Sequence, residues 1–139
     1  MSGYESMQGD GRIALSVLVV DDEPGFRRIV REILETYRFV VHEAGSVAEA
    51  QSVLQTVRPD VILVDVMMPE MDGLSLVQAL TPNPEYLHVP IVVTSANVQA
   101  SNKSAAWMSG ADAFLPKPFM AEELLDVIEY VLGDRVQGT

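Results

Sequence analysis

The sequence predicts an α/β protein: a doubly wound, three-layer (βα)5 sandwich around one parallel sheet. Three observations predict it. Val17-Leu18-Val19-Val20, Val61-Ile62-Leu63-Val64 and Ile91-Val92-Val93 are continuous apolar runs, which suits strands covered on both faces. Between them the apolar residues recur at helical spacing. Parallel strands require helical crossovers of one hand, and reactive side chains then collect beyond the strands' carboxyl ends.

Each element follows in order. Strand β1 is expected over Val17–Val20. Helix α1 begins at Pro24, whose missing N–H costs nothing in a first turn. Its core face is Phe26, Ile29, Val30, Ile33, Leu34 and Tyr37, with Arg27, Arg28, Arg31 and Glu35 opposite. A weaker strand, β2, is expected at Phe39-Val40-Val41. Helix α2 opens with the capping-box pattern Ser46-Val47-Ala48-Glu49 and turns Val47, Ala50, Leu54 and Val57 inward. Strand β3 covers Val61–Val64, and Leu74, Val77 and Leu80 mark α3. Strand β4 covers Ile91–Val93, and a more polar α4 is expected over about residues 98–109, ending at Gly110. A second weak strand, β5, falls at Ala113-Phe114-Leu115. Helix α5 then buries Leu124, Leu125, Ile128, Val131 and Leu132 and stops near Gly133.

The 139 residues are 48% hydrophobic, enough for one domain with one core. Residues 1–15 read as a flexible leader, 16–133 as the domain and 134–139 as a short tail. A formal charge of −11 argues against contact with nucleic acid by this chain. With no cysteine, disulfides, thiolate catalysis and zinc–thiolate sites are excluded. No apolar run reaches membrane-spanning length and the start lacks a signal-peptide pattern, so a cytoplasmic protein without membrane association is expected.

The residues just after the strands carry the chemistry. Asp21, Asp22 and Glu23 follow β1, Asp65 follows β3, Thr94 and Ser95 follow β4, and Lys117 and Pro118 follow β5. If β1 and β3 are neighbours, Asp21, Asp22 and Asp65 converge and repel one another, so a cation must offset them. Oxygen donors without histidine or cysteine suit Mg²⁺, with Mn²⁺ as a substitute. A carboxylate beside Mg²⁺ and Lys117 can attack phosphorus, which makes Asp65 the candidate nucleophile. Ser95 can donate to a phosphoryl oxygen and draw its loop inward.

Leu18-Val19-Val20-Asp21-Asp22-Glu23, Asp65-Val66-Met67-Met68-Pro69-Glu70-Met71-Asp72-Gly73, Thr94-Ser95-Ala96 and Gly110-Ala111-Asp112-Ala113-Phe114-Leu115-Pro116-Lys117-Pro118-Phe119 stand in this order. Together they resemble the response-regulator receiver domain of two-component and phosphorelay signalling over about residues 16–133. The resemblance implies a flavodoxin-like fold with sheet order 2-1-3-4-5. It implies that Asp65 is the phosphoacceptor and that Mg²⁺ is held by Asp22 directly, by Asp21 through water, and by Asp65 and the Met67 backbone carbonyl as well. Lys117 and Ser95 would bind the phosphoryl group, and Ser95 and Phe114 would form the switch. The Lys117–Pro118 bond would be cis. The implied donor is a histidine kinase or histidine phosphotransfer protein. The implied readout is the face of α4, β5 and α5, offered to a downstream protein or to a second copy in a homodimer.

Blander readings stand beside these. Asp21, Asp22 and Glu23 would also suit the positive end of α1, and Asp65 alone would suit a turn. Asp72-Gly73 reads as a turn and cap for α3. His42 and His88 lie away from the acidic edge. Trp107 and Met108, adjacent on α4, cannot both face the core, so one is a candidate for a partner surface. An aspartyl-phosphate phosphohydrolase would place a second acid where Met67 stands, and a flavin-phosphate carrier would not place three acids after β1. A docking module with phosphorylation secondary is the remaining rival. The reading is a phosphoacceptor switch that assists its own phosphorylation and dephosphorylation, not an enzyme.

Overall fold

The computed structural model describes residues 14–66, 73–96 and 110–136. In chain order these form β1 (Ser16–Val20), α1 (Pro24–Thr36), β2 (Val40–Ala44), α2 (Val47–Leu54), β3 (Val61–Asp65), α3 (Gly73–Leu80), a 3-10 turn (Pro84–Tyr86), β4 (Ile91–Ser95), β5 (Ala113–Pro116) and α5 (Ala121–Val136). The stretch expected to form α4, with Trp107 and Met108, lies outside the described residues, as does Met67.

All five strands are parallel, in the order β2-β1-β3-β4-β5. Alternate side chains point to opposite faces and enter separate cores. On one face Leu18, Val20, Ile62 and Val64 pack with α2 and α3. On the other Val17, Val19, Leu63 and Val92 pack with α1 and α5. Burial on both faces explains why β1, β3 and β4 are unbroken apolar runs. The edge strands β2 and β5 are only partly buried. β2 also begins one residue later than expected and runs on to Ala44, with Phe39 packed into the core ahead of it.

Helix α1 starts at Pro24 as expected, but Ile29 is 58% exposed rather than in the core. The buried line is Val30 and Leu34, and Ile29 lies about 100° around the helix from Val30. The opposite flank is taken by the supposedly solvent-facing Arg27 and Arg31. Arg27 Nε donates to Glu43 Oε1 on β2 at 2.9 Å and Arg31 Nε to Glu43 Oε2 at 2.6 Å. Ser46 caps α2 by accepting from Glu49 N at 3.1 Å. Glu49 in return accepts from Gly45 N at 2.7 Å, so the reciprocal bond reaches one residue further back than the usual box.

At the amino-terminal edge of the sheet, acids serve the backbone. Asp60 Oδ2 accepts from Ser16 N and Asp112 Oδ2 from Ile91 N, both at 2.8 Å, fixing where β1 and β4 begin. In α5, Leu124, Leu125, Ile128 and Leu132 are buried. Gly133 departs from helical geometry at φ 25°, ψ −97°, a kink beyond which the helix continues to Val136. Among the described residues no helix is long and apolar enough to cross a membrane.

Candidate functional site

Because β1 and β3 are neighbours in register, with Val20 beside Val64, the residues that follow them meet at the carboxyl edge of the sheet. Asp21 is fully buried and Asp65 is 4% exposed, while Asp22 is half-buried. One carboxylate oxygen from each of the three lies within 4.8 Å of the others.

Asp21 is held from several sides. Its amide donates to the Ala44 carbonyl at 3.0 Å, and its Oδ1 accepts from Glu23 N at 3.0 Å. Its carbonyl accepts from Arg27 Nη1, so the ion pairs between α1 and β2 reach the site backbone. Its Oδ2 accepts from Lys117 Nζ at 2.7 Å. The same ammonium is 3.4 Å from Asp65 Oδ2, so it bridges the two carboxylates but lies nearer Asp21. Burial acts to lower the Lys117 pKa, yet the Asp21 hydrogen bond and the charges of Asp21 and Asp65 outweigh it and hold the pKa above the ordinary lysine value.

Lys117 is brought here by the end of β5. Its amide donates to the Ser95 carbonyl at 2.8 Å, continuing the ladder with β4, and its peptide bond to Pro118 is cis. Ser95 and Thr94 are buried at the end of β4. Alternation along β4 and β5 puts Ser95 and Phe114 on the same sheet face, where Phe114 packs half-buried against the core under α2 and α3. His42 lies half-buried in β2 and His88 exposed after the 3-10 turn, and neither joins the acidic cluster.

Two contributors escape sequence reasoning. Phe26, placed only in the α1 core by periodicity, has its ring centroid 3.9 Å from Lys117 Nζ. Gly73, read as a turn and cap, is packed on the Asp65 backbone, where a Cβ would overlap the Asp65 carbonyl oxygen. A glycine at the start of the helix that follows an acidic strand end is the signal that points to such a close approach.

The donor set fits a hard divalent ion. Three carboxylates face one ammonium, leaving formally two negative charges, and the ligand atoms are all oxygen. Mg²⁺ matches both the charge and the chemistry.

A parallel sheet of this order with clustered carboxylates and a lysine at its carboxyl edge is the architecture of a signalling receiver. Residues 17–129 match the family described as the response regulator receiver domain, and the chain belongs to that family. It is thus a receiver domain of two-component response regulators, with a flavodoxin-like fold. Receiver domains are phosphoacceptor switches rather than ordinary enzymes; they typically use Mg²⁺, and response regulators partner with histidine kinases.

Its relatives include the response regulator Rre1 of Synechocystis sp., 35% identical over 120 residues that make up 86% of this chain and 52% of Rre1. The response regulator MprA of Mycobacterium ulcerans is 38% identical over 113 residues, 81% of this chain and 48% of MprA. The chain therefore spans about half the length of the curated relatives it matches. Among solved structures, the chemotaxis response regulator CheY4 of Vibrio cholerae superposes with a TM-score of 0.80 at 33% identity, over 86% of this chain and 99% of that one.

Proposed function

We propose that Asp65 accepts a phosphoryl group from a phosphorylated histidine on a kinase or phosphotransfer protein, and that the transfer switches the face formed by α4, β5 and α5. The observation that carries this reading is the Lys117 ammonium bridging two buried carboxylates, 2.7 Å from Asp21 and 3.4 Å from Asp65. A buried cation between acids at a strand edge is poised to receive a group more negative than either carboxylate.

Mg²⁺ would be held by Asp22, Asp65 and the Met67 carbonyl directly and by Asp21 through water, and it supplies charge neutralisation for the incoming phosphoryl oxygens. That both Asp21 oxygens already accept hydrogen bonds supports the indirect role for this residue. In the transfer, an Asp65 carboxylate oxygen forms a bond to phosphorus while the bond from phosphorus to the donor imidazole nitrogen breaks. The electron pair returns to that nitrogen. Lys117 shifts its hydrogen bonding from Asp21 towards the phosphoryl oxygens, and Ser95 donates to one of them. The inward movement of Ser95 gives Phe114, on the same sheet face, room to change rotamer. The output is a population shift, and moving a surface from about 1:99 to 99:1 requires about 5.5 kcal/mol of differential stabilisation.

Residues 16–133 form the unit that carries this activity, and the cytoplasm, where histidine kinases present their phosphodonor, is the location it requires. The reader is a downstream protein or a second copy of this chain. Incubation with Mg²⁺ and acetyl phosphate should add one phosphoryl group by intact mass, and Asp65→Asn should abolish the addition. Uptake by Asp65→Asn at the wild-type rate sinks the assignment.

A further inference from the structure

We propose that Phe26 is a positioning residue for phosphoryl transfer, acting through Lys117: its ring is the seat across which the ammonium moves between Asp21 and the phosphoryl group. The proposal rests on the reading of Asp65 as phosphoacceptor. Lys117 Nζ lies 3.9 Å from the Phe26 ring centroid, well inside the range at which a cation is drawn to an aromatic face. The lysine side chain is only 12% exposed, so little water competes for its charge.

The ring is itself fixed. Phe26 stands in the first turn of α1, which Pro24 begins, and it meets Phe119 edge to face, with centroids 5.7 Å apart and planes at 85°. Phe119 follows Lys117 by two residues in the same loop, so one aromatic pair ties the acid-bearing end of β1 to the lysine-bearing end of β5.

The ammonium must loosen its 2.7 Å bond to Asp21 to serve a group on Asp65. A hydrogen bond to a point acceptor is lost when the donor moves, whereas attraction to a ring is spread over its face. Phe26 thus keeps Lys117 partnered during the shift. A leucine there would fill similar space and offer no such attraction.

The test separates packing from attraction. With acetyl phosphate and saturating Mg²⁺, Phe26→Leu should slow phosphoryl uptake about five-fold, within the range of a desolvated cation–ring contact. Phe26→Tyr should stay within about two-fold of wild type, because the ring face is kept. Ring-fluorinated phenylalanines at position 26 should lower the rate stepwise with each fluorine. In a Lys117→Ala background, Phe26→Leu should add no further loss. By NMR, the Lys117 ε-methylene protons should show a ring-current shift that Phe26→Leu removes. A wild-type rate in Phe26→Leu, an equal loss in the Lys117→Ala background, or absence of the ring-current shift overturns the proposal while leaving Asp65 as acceptor. A wild-type chain that shows the ring-current shift but takes up no phosphoryl group overturns the reading of Asp65, and the transfer role of Phe26 with it.

Discussion

Gly73, the first residue of α3, is pressed against the backbone of Asp65: a Cβ would overlap the Asp65 carbonyl oxygen and lie 2.9 Å from its carbonyl carbon. The helix that follows the site therefore rests directly on the strand end that carries Asp65. In an exposed helix, glycine to alanine adds about 1 kcal/mol of stability. Here the neighbour is backbone, which cannot rotate away, so Gly73→Ala should instead cost about 1–3 kcal/mol. Urea unfolding measures the sign, and a stabilised Gly73→Ala would show that the contact exerts no constraint. Phosphoryl uptake by the folded fraction should fall as well, since any relief of the overlap displaces Asp65.

Metal binding gives a second prediction that is independent of transfer. An ion that binds only the folded chain adds stability with the logarithm of its concentration, about 1.4 kcal/mol at ten times its dissociation constant. Thermal melts should therefore rise with Mg²⁺ and return to baseline with a chelator. Asp22→Asn should blunt the rise. Lys117→Ala should retain it while losing any phosphorylation-dependent change in partner binding. A melting temperature indifferent to Mg²⁺ would rule out the proposed ligand set.

The pairing of Glu43 with α1 should make part of the stability depend on pH. Burial acts to raise the Glu43 pKa, but hydrogen bonds from Arg31 and Arg27 and their charges outweigh it and leave the pKa lowered. A carboxylate with a lowered folded pKa contributes fully above its unfolded value, about 4.3, and the contribution fades as pH falls through the folded value. Glu43→Gln should cost about 1 kcal/mol at pH 7, the upper range for a partly exposed pair, and less at about pH 3. Urea titrations at both values provide the check, and an equal cost at each would show that the charge is irrelevant.

How much of this was legible follows from where each residue's partners come from. The inner strands announce themselves because burial on both faces demands unbroken apolar runs such as Val61–Val64. The edge strand β2 does not, because His42 and Glu43 sit in it at half-buried positions. The acids and Lys117 were legible because a parallel sheet sends the ends of its strands to one edge. Ile29 misled because periodicity gives the width of an apolar stripe but not its centre, which Arg27 and Arg31 shifted by pairing with Glu43. Phe26 and Gly73 were hidden for a different reason. Their contacts are with Lys117 and Asp65, on other elements; the glycine that opens α3 signals the second, and no local pattern encodes the first.

Arg38 shows local chemistry overridden by the requirements of a turn. It closes α1 with φ 69°, in the left-handed region where glycine is favoured. The bonding is that of a Schellman motif: Phe39 N donates to the Leu34 carbonyl at 3.1 Å and Arg38 N to the Glu35 carbonyl at 3.0 Å. Leu34 and Phe39 are both buried in the core under α1 and α5, which supplies the apolar contact that accompanies the motif. The geometry is thus set by core packing, and the side chain at position 38 bears a left-handed cost of about 1–2 kcal/mol. Glycine removes that cost but adds freedom to the unfolded chain, which offsets about 0.5–1 kcal/mol. Arg38→Gly should therefore raise stability by about 0.5–1 kcal/mol without altering phosphoryl uptake, since Arg38 lies at the end of α1 remote from the acidic edge. Arg38→Ala should give no comparable gain, because alanine keeps the Cβ that opposes the turn. Chemical unfolding of both variants decides it: equal stability in the two would place the effect in the lost arginine charge rather than in the backbone.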